Sequence, residues 1–160
     1  MLTIEKKSLS VGKYVDTDHV NTVIRNYKHE RWAHNSKHIG KEDSLSAWYS
    51  IEELEGFLAK AKDHGGDGVR VYFAAYSSDY ADQPEYAGRQ TIVLVGTKFK
   101  ENEMGIAAHK DIYIDSEDGN SILAYNQPMI CPPFCKPKGT EGGDLGITIV
   151  DKGEDGLVVI

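Results

Sequence analysis

The chain has 160 residues, a formal net charge of −7, 40% apolar and 27% charged residues. That length suits one domain with a sizeable core. The acidic balance argues against nucleic-acid binding, which usually presents a basic patch, and no apolar run approaches the ~20 residues that a membrane span needs. Because the N-terminal sequence has no long apolar segment of the secretory type, we expect a cytoplasmic protein.

The first predicted element is an amphipathic helix over about residues 17–33. Its apolar residues recur at the spacing of one helix face: Val20, Val23, Ile24 and Tyr27. Asp16 or Thr17 supplies a side chain able to accept a hydrogen bond from the first free amides. Gly40 is suited to end the helical conformation, because glycine readily adopts positive φ.

Histidines are frequent in and after this helix. His34 and His38 are four residues apart, so on a continuous helix they share a face and could hold a metal ion such as zinc. The glutamate of the H-E-x-x-H protease motif is missing, because Asn35 follows His34. The pattern favours a solvated basic helix end over a metal site, and both interpretations stay open.

A second helix is marked more clearly, after a short predicted strand over residues 44–50. Ser50 and Glu53 have the spacing of a capping box, in which each side chain bonds the other residue's backbone amide. An apolar stripe follows at helical spacing: Ile51, Leu54, Phe57, Leu58 and Ala61. The sequence His64-Gly65-Gly66 is typical of a helix end.

Two β-rich runs, residues 68–76 and 90–96, follow this helix. In the first run, strict alternation places Val69, Val71 and Phe73 on one face. The second run is apolar on both faces over residues 91–95, which indicates a strand with packing on both sides. We expect the two runs to be adjacent antiparallel strands, buried at the centre of a sheet and covered by the helix that begins at Ser50.

The segments after this pair predict further strands and turns. Residues 98–105 are interpreted as a polar connection, and residues 109–116 and 121–126 as two strands. Asp118-Gly119 provides a corner at which the two could form a hairpin.

The C-terminal part changes in composition. Residues 127–143 hold four of the five prolines, which predicts an irregular segment. Residues 145–150 and 157–160 could form a terminal hairpin. Together the elements predict a single α+β domain over residues 1–160, with two helices flanking a mainly antiparallel sheet of about four to six strands.

The sharpest local motif is C-P-P-F-C, from Cys131 to Cys135. Its prolines fix φ and lack amide donors, so it does not suit the helix start of a thioredoxin-type site. Three alternatives remain open: two free thiols in a stiff turn, half of a zinc site completed by a histidine and a carboxylate, or a local disulfide, which is expected mainly in an oxidising compartment.

Several of these segments occur together in one known group of proteins. An Ala47-Trp48-Tyr49 strand, a helix from Ser50, the G-V-R-V-Y-F strand at Gly68, a second apolar strand and a late Cys131–Cys135 motif follow each other in this order. The chain resembles a group of small uncharacterised proteins common in Bacteroidetes-type bacteria, over about residues 47–135. The resemblance supports the domain interpretation and implies no activity.

These patterns favour a non-catalytic cytoplasmic binding or interaction module, whose partner is another protein or a second copy. One alternative is a zinc-binding protein or metal-dependent hydrolase that uses Cys131 and Cys135, or the face of His34 and His38. A third hypothesis is a thiol redox protein. Catalytic residues are not identified, and whether the protein is an enzyme stays open.

Overall fold

The computed structural model describes residues 9–136, 150–153 and 156–159. Helix α1 is continuous and comprises Thr17–Tyr27, the π-helical segment Lys28–Trp32 and Ala33–Ile39; helix α2 is Ile51–Asp63. The strands are β1 Ser46–Trp48, β2 Gly68–Ala75, β3 Gln90–Glu101, β4 Ala107–Asp111, β5 Tyr113–Ser116, β6 Gly119–Ile122, β7 Ala124–Tyr125, β8 Met129–Cys131, β9 Val150–Gly153 and β10 Gly156–Val159. This is the predicted α+β domain. No helix within these ranges has the length and apolar character needed to cross a membrane.

Helix α1 begins as predicted and ends later than predicted. The Asp16 carboxylate accepts a hydrogen bond from the His19 amide at 2.8 Å, so Asp16 is the N-cap. The helix continues past residue 33 to Ile39 and ends at Gly40, whose φ of 75° is left-handed. The predicted end at residue 33 was too early, because the polar composition of this stretch does not stop a helix without a breaking residue.

The π-helical segment of α1 decides which residues of the helix face the sheet. Tyr27 and Trp32 are five residues apart, and both reach the same neighbourhood: Tyr27 Oη donates to Gln90 Oε1, and Trp32 Nε1 donates to the Asp43 carbonyl at 2.7 Å. In a regular α-helix, residues five apart point about 140° away from each other. The wider π turn brings both side chains to one side.

Helix α2 begins with the predicted capping box. Ser50 Oγ accepts a hydrogen bond from the Glu53 amide at 3.0 Å, and the Ser50 amide donates to Glu53 Oε2 at 2.9 Å. Tyr125 Oη donates to the other carboxylate oxygen at 2.9 Å. The hydrogen bond from the Ser50 backbone, followed by that from Tyr125, lowers the pKa of Glu53 below its usual value. The carboxylate thereby ties the start of α2 to β7.

Helix α2 packs on β3 at Gly96, where the strand has no side chain. A Cβ atom at Gly96 would lie 3.3 Å from the Ala61 Cβ and 3.2 Å from a methyl group of Leu123, so the helix approaches closely because the position is glycine. The main core cluster forms around this contact from Phe57, Ala61, Leu94, Ile112 and Leu123. A second cluster is made by Tyr76, Tyr86 and Ile130.

The main sheet has the predicted central pair, but one of its strands is not buried. β2 and β3 are antiparallel, with Val71 opposite Leu94. β4 and β7 pair with β3 along its other side, so β2 is an edge strand in the described part of the chain. The prediction that both runs are buried was wrong for β2, because alternation shows which residues share a face and not whether that face is covered.

Other predicted segments are partly changed. β3 runs on to Glu101 and pairs with β4, so the predicted polar connection over residues 98–105 was wrong for its first half. The Asn102 side chain forms the turn, since its Oδ1 accepts hydrogen bonds from the Met104 and Ile106 amides at 3.0 and 2.9 Å. The hairpin around Asp118-Gly119 is confirmed as β5 and β6. Each of the two predicted strands is divided in the structure, because 109–116 is interrupted at Ile112 and 121–126 at Leu123.

The C-terminal part contains more pairing than its composition predicts. β8 lies inside the predicted irregular segment 127–143 and pairs with β1, with Ser46 opposite Cys131. Residues 137–143 of that segment lie outside the described residues. The terminal hairpin is formed by β9 and β10. The first strand of this hairpin, Val150–Gly153, lies later in the sequence than the predicted strand over residues 145–150. Residues 145–149 and 160 of the predicted hairpin lie outside the described residues.

Candidate functional site: the exposed edge of β2

The outer edge of β2 carries backbone groups that no described strand pairs. The Tyr76 amide donates to the Arg89 carbonyl at 3.0 Å, and this pair continues the register of β2 with β3. Antiparallel pairs alternate between hydrogen-bonded and non-hydrogen-bonded. Even-numbered residues of β2 therefore bond to β3, and the backbone groups of Val69, Val71 and Phe73 point outward.

Hydrogen bonds at Gly96 confirm this alternation from the other strand. Gly96 is opposite Val69. Its amide donates to the Leu123 carbonyl at 3.1 Å, and its carbonyl accepts from the Ile112 amide at 2.9 Å. Both backbone groups of Gly96 thus point away from β2, as a non-hydrogen-bonded pair with Val69 requires.

The side chains on this edge are apolar and exposed. Phe73 keeps 83% of its surface accessible and Val71 keeps 46%. Their strand partners on β3 are Ile92 and Leu94, and Leu94 is buried in the main core. The exposed apolar surface of β2 is therefore continuous with the face of the sheet that α2 covers.

Two cavities adjoin this edge and share Phe73 and Gln90 as lining residues. The larger, of about 440 Å³, lies between the end of α1 and the last residues of β2; its further lining is Asn35, His38, Ile39, Asp43, Ala74, Ala75 and Gly88. The smaller, of about 240 Å³, reaches Tyr27, Thr91, Ile92 and residues 44–47. Together they form a groove beside β2 with one aromatic side chain between its two halves.

Asp43 holds the polar wall of this groove and is only 3% exposed. Its Oδ1 accepts hydrogen bonds from the backbone amides of Gln90, at 2.7 Å, and Ser44, at 2.8 Å. The Asp43 amide in turn donates to Ser36 Oγ at 2.9 Å. The loop after α1 is thus joined to the start of β3 through a single carboxylate oxygen, and Asp43 acts as a structural acceptor.

Tyr27 and Arg89 complete the polar surroundings of Asp43. Burial raises the pKa of the Tyr27 hydroxyl, and the nearby Asp43 charge raises it further. Arg89 is 9% exposed, and its Nε and one Nη have no hydrogen-bond partner among the described residues. Burial lowers the pKa of Arg89, whereas the charges of Asp43 and Glu42 raise it. Burial is the larger effect, so the pKa of Arg89 lies below its usual value and the neighbouring carboxylates offset the burial only in part.

The opposite face of β2 carries a polar cluster that fixes the strand to β4. Arg70 forms an ion pair with Asp111 through Nη1, and its other terminal nitrogen donates to the His109 carbonyl at 2.8 Å. Tyr72 Oη donates to the second Asp111 oxygen at 2.6 Å. These side chains reach across β3, so they stiffen β2 without covering its outer edge.

The structure places the sequence-predicted metal residues in two separate regions. His34 and His38 are both exposed on the last segment of α1, and His38 also lines the larger cavity. Within the described ranges, no three His, Cys, Asp or Glu side chains are grouped so that they could hold a metal ion. The zinc site at His34 and His38 stays a prediction.

Cys131 and Cys135 are joined in a disulfide, which is the last of the three alternatives that the sequence left open. A sulfur in a disulfide is not a thiolate, and zinc binds the thiolate. The zinc half-site predicted for these two residues therefore applies only to a reduced chain, and for that chain it stays a prediction. The disulfide closes the turn after β8, next to the cluster of Tyr86 and Ile130.

The groove residues Asp43, Gln90 and Phe73 were not identified from the sequence. Asp43 has no motif around it, and Phe73 was assigned to the core because its strand alternates. No family model, curated protein or solved structure matches this chain. The candidate site is therefore defined by its geometry alone: an unpaired strand edge, exposed apolar side chains and a groove beside them.

Proposed function

We propose that this protein is a non-catalytic binding module that pairs an extended segment of another polypeptide with the outer edge of β2. The observation that carries the proposal is the row of outward-pointing backbone groups at Val69, Val71 and Phe73. In strand addition, such groups supply the affinity, and neighbouring pockets that receive alternate side chains supply the specificity. The groove at Phe73 and Gln90 is placed to provide those pockets.

The polar residues of the groove support binding more than catalysis. The Asp43 carboxylate already accepts hydrogen bonds from two backbone amides, and the side-chain oxygen of Gln90 accepts one from the Tyr27 hydroxyl. These hydrogen bonds hold the wall in position, and Asp43 is only 3% exposed, whereas a general base must lie within hydrogen-bond reach of its substrate. The zinc-dependent alternative and the resemblance to the Bacteroidetes-type group remain proposals from the sequence. The thiol redox alternative also remains a proposal, and the disulfide between Cys131 and Cys135 is consistent with it.

Selection of linear peptides from a random library tests this function. We expect selected peptides to bind wild-type protein and to lose at least about tenfold in affinity on Val71→Pro, which corresponds to about 1.4 kcal/mol. Proline removes an outward amide, and it is tolerated on an edge strand where that amide faces solvent. Val71→Thr keeps the amide and the β-branched shape, so it is the matched control and should bind nearly as wild type.

Two results would contradict the proposal. Peptides that bind Val71→Pro as well as wild type would show that the outer amides of β2 are not used. A library that yields no binder to a folded wild-type chain that is monomeric would count equally against strand addition. Circular dichroism of both variants establishes that the fold is intact before binding is compared.

The cellular location is part of the same proposal. The structure joins Cys131 and Cys135 in a disulfide, whereas the cytoplasmic location expected from the N-terminal sequence requires that they be reduced in the cell, because cytosolic thiols are kept reduced in most organisms. Alkylation during cell lysis, followed by mass spectrometry, measures their state: we expect both cysteines to be alkylated without prior reduction. Recovery of the disulfide-linked, unalkylated form would instead place the protein in an oxidising compartment.

A further inference from the structure

We infer that the polypeptide added to β2 is β2 of a second copy, so that the protein forms a two-fold symmetric dimer through this edge. The inference rests on the proposed function and names its partner. It starts from the sequence of the strand, G-V-R-V-Y-F-A-A. The strand contains no proline and no lysine, and its register with β3 runs without a bulge from Gly68 to Ala75. Monomeric proteins commonly block a sheet edge with proline, lysine or a bulge, and β2 has none of these.

The strand is complementary to itself on its apolar face. A two-fold axis through Val71 sets Val71 opposite Val71 of the second copy, and Val69 opposite Phe73 of the second copy. All three residues have outward-pointing backbone groups, so each opposed pair can exchange two hydrogen bonds. Aromatic and β-branched side chains are favourable cross-strand partners, and this register covers Phe73, which is the most exposed large apolar side chain of β2.

The same register also suits the charges. Arg70 is the one charged residue of β2, and the axis through Val71 sets it opposite Tyr72 of the second copy. Arg70 already lies over the Tyr72 ring of its own chain, with its guanidinium carbon 5.9 Å from the ring centre, and cation–π contact is favourable. An axis through Arg70 would instead oppose two like charges directly, which destabilises a strand pair.

An edge of this kind joins two main sheets into one. Each copy contributes β4, β3 and β2 in that order, with β7 beside β3, and the symmetric contact places the same surface on both copies. The symmetry also means that any substitution in β2 occurs twice at the interface. Single changes at this edge should therefore have large effects on association and small effects on the isolated fold.

Sedimentation equilibrium over a range of protein concentrations tests the dimer. We expect wild type to be dimeric, and Val71→Pro and Phe73→Lys each to raise the dimer dissociation constant at least about tenfold. Tyr113→Lys is the matched control, because Tyr113 is also exposed, at 63%, but lies on β5. It should leave the dissociation constant unchanged. A wild-type chain that is monomeric throughout, or a dimer that survives both β2 substitutions, would overturn the inference.

Amide hydrogen exchange measured by NMR gives an independent reading of the interface. In a monomer, the amides of Arg70 and Tyr72 are protected by β3 whereas those of Val69, Val71 and Phe73 exchange rapidly. In the dimer, the amides of Val69, Val71 and Phe73 are protected as well, and their protection increases with protein concentration. Rapid exchange of Val71 in a dimeric sample would show that association uses another surface.

The two proposals fail in different ways. If the chain is monomeric and library peptides still bind in a manner sensitive to Val71→Pro, the dimer is excluded and the binding function stands. If neither dimer nor peptide binding depends on Val71, both are excluded. If the dimer forms through β2, an added peptide should compete with it.

Discussion

Asp43→Ala should lower the free energy of unfolding by about 3 kcal/mol, because it leaves one buried and one partly buried backbone amide without an acceptor and each such loss costs roughly 1–3 kcal/mol. The amides are those of Ser44 and Gln90, both within 2.8 Å of the same carboxylate oxygen. The substitution also removes a negative charge near the buried Arg89. Urea denaturation measures the effect as a lower midpoint with an unchanged slope.

Two control variants separate the causes of this loss. Asp43→Asn keeps an oxygen that can accept both amides, so it should retain most of the stability that Asp43→Ala loses. Asp115→Ala removes an exposed carboxylate and should change stability by no more than about 0.5 kcal/mol. If Asp43→Ala unfolds at the same urea concentration as Asp115→Ala, Asp43 does not hold the groove wall as described.

Ile130→Ala should destabilise the protein by about 2–5 kcal/mol, the usual range for truncating a buried isoleucine. Ile130 is 0% exposed and packs with Tyr76 and Tyr86. Little can move into the space that the side chain leaves, because its β8 backbone is held by pairing with Ala47 of β1. Thermal or urea unfolding measures the loss.

The matched control for Ile130 is Ile122, which is 37% exposed on β6. Ile122→Ala should cost clearly less, since part of its side chain is in water before the change. Ile130→Val removes one methylene and should cost about 1 kcal/mol. Equal losses for Ile130→Ala and Ile122→Ala would mean that the second cluster contributes no core packing of its own.

Local sequence signals predicted those elements whose causes are local. The Ser50 capping box is formed by groups within one helical turn, and it is present as predicted. Gly40 ends α1 because glycine readily adopts the positive φ of a helix end, and this property does not depend on contact with a distant residue. The pairing of β2 with β3 also follows from neighbouring segments, since alternation and β propensity give both strands and their order in the chain makes them adjacent.

Features that depend on distant residues could not be predicted in the same way. The alternation in β2 places Val71 and Phe73 on one face, but whether that face is buried depends on where α1 and α2 come to lie. Asp43 stabilises the groove because the backbone amide of Gln90, far along the chain, donates a hydrogen bond to its carboxylate. Spacing alone allowed Cys131 and Cys135 to be free, metal-bound or bridged, because all three states fit the same turn.

The π-helical segment of α1 has a consequence for insertions and deletions. Tyr27 bonds to Gln90 and Trp32 bonds to Asp43 only because the intervening turn is wider than that of an α-helix. Loss of one residue from positions 28–31 would leave Tyr27 and Trp32 four residues apart, and in a regular α-helical turn such residues lie about 40° from each other, still on one side. This stretch should therefore accept the loss of one residue far more readily than the gain of one, because an added residue would turn Trp32 away from Tyr27 by about a further 100°.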